Sequence, residues 1–190
     1  MDLLVSFYIY LGYNAKYFNT TLRTFILNNN YCGNSIINLH FTWAFTKLAL
    51  QYCCNLIIKN NFVIFISATK YFSKKKDISS LKNIQFWFDK WPRGALSGYK
   101  TSSARYFFKF PNFIVFLDSG AIGKQPISDE ANKVGIFSFG FVDTQSNLNK
   151  MSYWALGNTR SIISKNFYFD LIKSIFIKSK FIKAQKFLNK

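Results

Sequence analysis

The sequence predicts a doubly wound α/β fold, in which a mostly parallel β-sheet lies between two layers of helices. Two observations predict this fold. Short apolar runs alternate with helical patterns from about residue 36 to residue 180, which is the order of strand–helix–strand units. The run 62–66 is apolar at every position, as expected for a strand buried on both faces of a parallel sheet. A chain of 190 residues that is 49% hydrophobic can bury one such core.

The N-terminal 35 residues are expected to form an irregular arm. Three consecutive asparagines at 28–30 and the pair Gly33 and Asn34 favour turns in this region. The segment 36–39 is expected to be a short buried strand, and 41–58 carries apolar residues at helical spacing. The residues expected on the buried face of this helix are Phe45, Leu48, Tyr52 and Leu56.

Strands and helices are expected to alternate along the rest of the chain. The strands are predicted at 62–66, 84–88, 113–117, 136–142 and 151–156. Helices are predicted in the basic segment 76–82, at 128–134 with Gly135 as the C-cap, and from Ser161 onward. The residues expected on the buried side of this last helix are Ile163, Phe167, Leu171, Phe176 and Phe181, and those largely opposite are Lys173, Lys180 and Lys183.

Three parts of the chain follow from this pattern. Residues 1–35 form the arm, residues 36–177 form the α/β domain, and residues 178–190 form a basic extension of the last helix. The sequence shows no internal repeat that would divide the domain further.

The charge of the chain indicates a polyanionic partner. The formal net charge is +17, and a surface of this kind repels itself unless nucleic acid or an anionic membrane neutralises it. Phe (23) and Tyr (11) are frequent, as are Lys, Asn and Ile, and all five have AT-rich codons. We interpret this bias as the mark of an AT-rich genome, for which an organelle is the expected source.

Cysteine and histidine are too few to favour a metal site. Cys32, Cys53 and Cys54 are an odd number of thiols, two of them adjacent, and His40 is the single histidine. Reduced thiols are therefore expected, with no cofactor and no metal. Polar residues also interrupt every apolar stretch before it reaches 18 residues, so no membrane insertion is expected.

A series of motifs then resembles one known family. The strand 62–68 with Thr69 and Lys70 is similar to that family's "ILFVGTK", and 130–136 ("EANKVGI") is similar to its "EANKLGIP". The other matching segments, all in the family's order, are 11–13, 36–39, 91–101, 110–118, 141–144 and 157–158. Over roughly residues 11 to 177 the chain resembles the ribosomal protein S-two family, the second protein of the bacterial-type small subunit.

The chain departs from the bacterial pattern in three places. The long charged helical hairpin of bacterial members is missing, because only residues 102–109 separate the two segments that flank it. Thr159 and Arg160 stand where the family has two acidic residues, and the histidines of the family's arm are absent. These losses affect the contacts made by the hairpin rather than the core.

The resemblance implies a fold and a role. The fold is a flavodoxin-like, three-layered sandwich. The role is that of a structural, non-enzymatic constituent of the small ribosomal subunit, which binds small-subunit rRNA and neighbouring ribosomal proteins and has no small-molecule substrate. The expected location is the mitochondrial matrix, with a plastid as the alternative.

The candidate RNA contacts are exposed cations. In the loop 91–101, Arg93 and Lys100 can neutralise phosphate, and Gly94 and Gly98 let the backbone approach it, while Trp91 packs the loop onto the sheet. The candidate RNA-binding residues are Lys16, Arg23, Lys74, Lys75, Lys76, Arg93, Lys100, Arg105, Lys109, Arg160, Lys180 and Lys183. The residues assigned to structural motifs are Gly12, Trp91, Gly94, Gly98, Asp118, Asn132, Gly135, Asp143, Gly157 and Asn158.

Two other functions stay open at this point. Asp118 and Asp143 follow strands, at the edge where α/β folds place active sites, so a degenerate flavodoxin-like enzyme using a nucleotide or magnesium is one alternative. The absence of a phosphate-binding glycine loop argues against it, and both carboxylates are expected to cap turns. The other alternative is a membrane-associated organellar subunit, in which the basic C-terminal helix lies on a lipid surface.

Overall fold

The computed structural model describes residues 2–17, 19–29, 32–59, 61–67, 84–98, 109–119 and 126–188. The elements in chain order are α1 (Asp2–Ser6), β1 (Leu11–Asn14), β2 (Ile26–Asn29), β3 (Asn34–Ile37), α2 (Leu39–Ile58), β4 (Val63–Ile66), β5 (Ile84–Trp87), β6 (Phe113–Phe116), α3 (Ile127–Val134), β7 (Phe137–Val142), β8 (Tyr153–Leu156) and α4 (Ile162–Leu188). Short 3₁₀ turns precede β2 and β8. The helix expected at 76–82 lies outside the described residues.

The central sheet confirms the predicted fold class. Its five strands are parallel throughout and lie in the order β5–β4–β6–β7–β8. Counted from β4, this is the flavodoxin-like order 2-1-3-4-5. The strands β4 and β6 are buried at every position, as the uninterrupted apolar runs predicted.

Alternate side chains of these strands pack into two cores, one on each face of the sheet. On one face, Phe65 and Val115 pack against α2 and α4. On the other face, Ile64 and Ile114 pack against α3 and the segment after β5. The sheet is therefore the middle of three layers.

The arm is more regular than expected. Its strands form a small antiparallel sheet in the order β1–β3–β2. The strand expected at 36–39 is β3, which belongs to this sheet and ends at Ile37, because the Asn38 side chain accepts a hydrogen bond from the His40 N–H (3.1 Å) and starts α2. These strands have only four residues each and contain asparagine, so their alternation of apolar and polar residues is too weak to be recognised from sequence.

The expected buried face of α2 is wrong in part. Leu48 and Tyr52 are 57% and 46% exposed. The residues that α2 buries are Thr42, Thr46, Ala49, Cys53, Cys54 and Ile57. Small side chains on this face let the helix approach α4 and β8 closely, and a hydrophobicity pattern gives no weight to a buried threonine.

The buried face of α4 is displaced by about one residue from the expected one. Phe176 is buried as predicted, but Ile163 and Phe181 are 46% and 67% exposed. The residues buried along the helix include Ser164, Tyr168, Phe169, Ile172 and Ser179. Two of the residues on this face are serines, so a pattern based on apolar residues does not identify the face. The helix α3 and its C-cap agree with the prediction, since Gly135 has a φ of 77°.

Candidate nucleic-acid interface

The segment 91–98 follows β5 and is anchored by Trp91. This side chain is 3% exposed and makes an edge-to-face contact with Trp87, with ring centroids 5.5 Å apart. Ala95 and Leu96 are also buried on the same core. Trp91 is thus a packing residue, as expected.

The carboxylate of Glu130 on α3 fixes the backbone of this segment. The Gly94 N–H donates to Oε1 at 2.7 Å, the Leu96 N–H donates to Oε2 at 3.1 Å, and the Trp91 Nε1–H reaches Oε2 at 3.4 Å. Glu130 is 7% exposed, and Gly94 has a φ of 81°, which glycine adopts without strain. The Gly94 amide therefore faces the protein interior, and the segment offers solvent the exposed side chain of Arg93.

Sequence reasoning missed the role of Glu130. Glu130 lies within the predicted helix 128–134, but its carboxylate binds the segment 91–96 of the same chain. The one available signal was its place in the best-matching motif, 130–136. A carboxylate that accepts from backbone N–H groups 34 and 36 positions earlier in the chain has no local sequence pattern.

The candidate RNA-binding cations differ in how exposed their side chains are to solvent. Lys183 is half-buried, and burial lowers the pKa of its ammonium. The exposed members are Lys16, Arg23, Arg93, Lys109, Arg160 and Lys180. The candidates outside the described residues are Lys74, Lys75, Lys76, Lys100 and Arg105.

Arg160 joins the arm to the end of β7. Its Nε–H donates to Asp143 Oδ2 at 3.0 Å, and an Nη2–H donates to the Gly12 carbonyl at 3.2 Å. The guanidinium carbon lies 4.1 Å from the centroid of the Tyr13 ring. Asp143 is fully buried, whereas about half of the Arg160 side chain (49%) is exposed. Burial raises the pKa of Asp143, and the ion pair with Arg160 and the Thr144 N–H oppose that rise.

Thr144 extends this junction. Its hydroxyl accepts a hydrogen bond from the Tyr13 N–H at 2.8 Å, and the Ser35 hydroxyl donates to the Tyr13 carbonyl at 2.8 Å. A Cβ on Gly12 would overlap Ser35 Oγ and lie 2.6 Å from Thr144 Cγ2. Only glycine fits where β1 crosses the end of β7.

Asn158 completes the junction. Its side-chain N–H donates to the Tyr8 carbonyl at 3.1 Å, and its Oδ1 accepts from the N–H groups of Arg160 and Ser161 at 3.0 Å and 3.2 Å. The motif residues Gly12, Asp143 and Asn158 therefore meet at one place, where the arm crosses the carboxyl ends of the strands.

The two strand-end aspartates have internal partners. Asp118 is 2% exposed and accepts a hydrogen bond from the Ser67 hydroxyl at 2.5 Å, and Asp143 binds Arg160 and Thr144. Among the residues that the structure describes, no three His, Cys, Asp or Glu side chains form a group that could hold a metal ion. The described helices include none that is long and apolar enough to cross a membrane.

We expect Arg160→Gln to destabilise the protein by about 1–3 kcal/mol at neutral pH, because it leaves the buried Asp143 carboxylate without its cation. The loss should shrink on acidification. Without Arg160 the folded-state pKa of Asp143 rises further above its unfolded value, so the folded state takes up a proton and gains stability as the pH falls through that pKa. Urea unfolding at pH 7 and about pH 5 measures this.

Lys150→Gln is the matched control, because it breaks the exposed pair between Lys150 Nζ and Asp129 Oδ2 (3.9 Å). That pair is worth about 0–1 kcal/mol. An Arg160→Gln loss that equals the control, or that does not change with pH, would contradict a structural role for the Arg160–Asp143 pair.

Comparison with known proteins gives a consistent set of relatives. No family model matches the chain. The chain is 24% identical over 190 aligned residues to "Small ribosomal subunit protein uS2m" of Acanthamoeba castellanii, covering 97% of this chain and 60% of that protein. It is 25% identical over 224 aligned residues to "Small ribosomal subunit protein uS2" of Buchnera aphidicola subsp. Acyrthosiphon pisum, covering 96% of this chain and 90% of that protein. The chain thus spans about three fifths of the amoebal relative and most of the bacterial one.

Proposed function

We propose that the chain is a member of the uS2 family of small-subunit ribosomal proteins, to which it is similar along nearly its whole length, and that it is a non-enzymatic constituent of a mitochondrial small ribosomal subunit. Its action is to bind small-subunit rRNA and neighbouring ribosomal proteins and to hold them in position. The observation that carries this proposal is the similarity along 97% of the chain to a relative whose name states both the subunit and, by its suffix, the mitochondrial type.

The charge and fold support the same role. With a net charge of +17, the chain needs a polyanion close to its surface. The α/β core supplies a rigid scaffold from which exposed cations such as Arg93, Lys109 and Lys180 project. The aspartates at the strand ends hold the protein together, so the scaffold positions RNA contacts rather than a reaction.

The subcellular assignment rests on the same relative and on the composition. A mitochondrial uS2m is among the matches, and the abundance of Phe and Tyr fits an AT-rich organellar genome. The mitochondrial matrix is therefore the proposed location, and the plastid is the alternative that fractionation distinguishes.

Binding to small-subunit rRNA is expected to weaken steeply as salt rises. Each neutralised phosphate releases counterions and contributes about −0.7 to −0.9 to the slope of log K against log salt. If about six cations contact phosphate, affinity falls about 10³-fold between ~50 and ~200 mM salt. Titration of the full chain against its own small-subunit rRNA transcript, with an unrelated RNA of equal length as control, measures this. A nearly flat salt dependence, or equal affinity for both RNAs at physiological salt, would count against the proposed function.

A further inference from the structure

The carboxylate of Glu130 binds N–H groups that lie outside its own helix. The side chain is 7% exposed, and it accepts hydrogen bonds from three N–H groups of one short segment, 91–96. Hydrogen bonds to an ionised acceptor are about twice as strong as those between neutral groups. The carboxylate is therefore the main polar anchor of that segment.

The anchored positions lie on both sides of Arg93. Trp91 is fixed two residues before it by burial and by the bond to Glu130 Oε2. Gly94 is fixed directly after it by the 2.7 Å bond to Oε1. The Gly98 N–H also donates to the Gly94 carbonyl at 2.7 Å, which closes the turn. Arg93 is thus an exposed cation on a backbone with little freedom left to lose.

Core packing alone does not require a charged residue at position 130. Ile127 and Ala131 already pack α3 onto the sheet, and a buried carboxylate is expensive to desolvate unless its hydrogen bonds are all made. What the carboxylate adds is a defined conformation of 91–98. A contact made from a preorganised segment loses less conformational entropy on binding.

We propose that Glu130 is a positioning residue for RNA binding: it holds the segment 91–98 in the conformation that directs Arg93 to a phosphate of small-subunit rRNA. This inference rests on the proposed function and deepens it. Glu130 does not touch the RNA, and its effect on affinity passes through Arg93.

The sign of the effect separates positioning from general electrostatics. Glu130→Gln raises the net charge by one, so simple attraction to RNA predicts tighter binding. Positioning predicts weaker binding, because the amide retains one acceptor oxygen and turns an N–H₂ group toward the N–H donors of the segment. Asp129→Asn is the matched control. It makes the same charge change one residue earlier, at a side chain that is 55% exposed.

The experiment measures the affinity of the full chain for its small-subunit rRNA transcript across a salt series. Losing one phosphate contact weakens binding about fivefold at ~0.15 M salt and lowers the salt slope by about one. We expect this from Arg93→Ala and from Glu130→Gln. In the double variant Glu130→Gln should add nothing to the loss, whereas Asp129→Asn should bind as tightly as the wild type or slightly more tightly.

Gly94→Ala provides the second variant in case Glu130→Gln does not fold. At a φ of 81° a Cβ strains the turn, yet the nearest atom it meets is Ser97 Oγ at 4.0 Å, so the substitution perturbs the segment without changing charge or crowding the core. Gly94→Ala should weaken RNA binding as much as Glu130→Gln does. In the Arg93→Ala background it should cause no further loss of affinity.

Three results would overturn the inference, and a fourth would remove the proposed function on which it rests. A Glu130→Gln protein that binds as tightly as the wild type overturns the inference, and so does one whose loss is unchanged in the Arg93→Ala background. If the folded Gly94→Ala protein binds normally when Glu130→Gln cannot be tested, the inference also fails. A wild-type chain that does not prefer its rRNA removes the proposed function itself.

Discussion

Replacing Trp91 with alanine is expected to destabilise the protein by about 3–5 kcal/mol, the usual loss for a large aromatic side chain in a core. Trp91 is 3% exposed, packs edge-to-face on Trp87, and donates its indole N–H toward Glu130. Its removal opens a cavity between the sheet and the segment 91–98. For a domain of this length the melting temperature should fall by roughly 6–20 °C, which calorimetry measures.

Arg93→Ala is the control for the Trp91 prediction, since it changes an exposed residue two positions away in the same segment. Surface substitutions of this kind usually change stability by less than about 0.5 kcal/mol. We expect Arg93→Ala to leave the melting temperature unchanged while it weakens RNA binding. Equal destabilisation by the two variants would show that Trp91 is not the anchor of the segment.

The second large effect is expected at Gly157, at the end of β8. A Cβ at this position would overlap the hydroxyl of Tyr168 and lie 3.2 Å from Ile9 Cγ2. Tyr168 cannot move aside, because it is 1% exposed and stacks on Phe141 with ring centroids 4.0 Å apart. Gly157→Ala should therefore destabilise the protein by about 2–3 kcal/mol through overpacking, as measured by chemical denaturation.

Tyr168→Phe tests the cause of that loss. Within the described part of the chain the Tyr168 hydroxyl has no hydrogen-bond partner, so removing it should be neutral or slightly stabilising. In combination, Tyr168→Phe should recover a substantial part of the Gly157→Ala loss, although the contacts with Ile9 and with the ring remain tight. Strictly additive effects in the double-mutant cycle would contradict a direct overlap of the Cβ with the hydroxyl.

The central sheet could be predicted from the sequence because its signals are local. Each strand is a short apolar run, and a strand such as β6 is buried at all four positions, so no choice of face was needed. The C-cap of α3 was equally local, since a glycine after a short amphipathic segment favours a left-handed conformation.

The faces of α2 and α4 could not be predicted in the same way. Thr46 and Ser164 are buried, and each has a role that hydrophobicity does not encode. Thr46 lies on the close-packed face of α2, and the Ser164 hydroxyl donates to the Phe7 carbonyl at 2.7 Å. Leu48 and Phe181 are exposed although they are apolar. Because both helices carry apolar residues on both sides, hydrophobicity does not distinguish the buried face from the exposed one.

The site was predictable only as a set of residue types. The motif residues Gly12, Asp143 and Asn158 meet across more than a hundred positions of the chain, and no local pattern reports such a contact. Arg160 was expected to bind RNA, and in the structure its guanidinium binds the Asp143 carboxylate. Contact of Arg160 with RNA stays a prediction for the exposed half of its side chain.

The measurement that tests the central claim most directly is sedimentation of the tagged full chain from a mitochondrial lysate. In a sucrose gradient with enough magnesium to keep subunits intact, we predict that the protein migrates with small subunits and with whole ribosomes, and that small-subunit rRNA is recovered with it. Lowering the magnesium to separate the subunits should leave the protein with the small one. A chain that remains at the top of the gradient as free protein, or that migrates with the large subunit, would contradict the account.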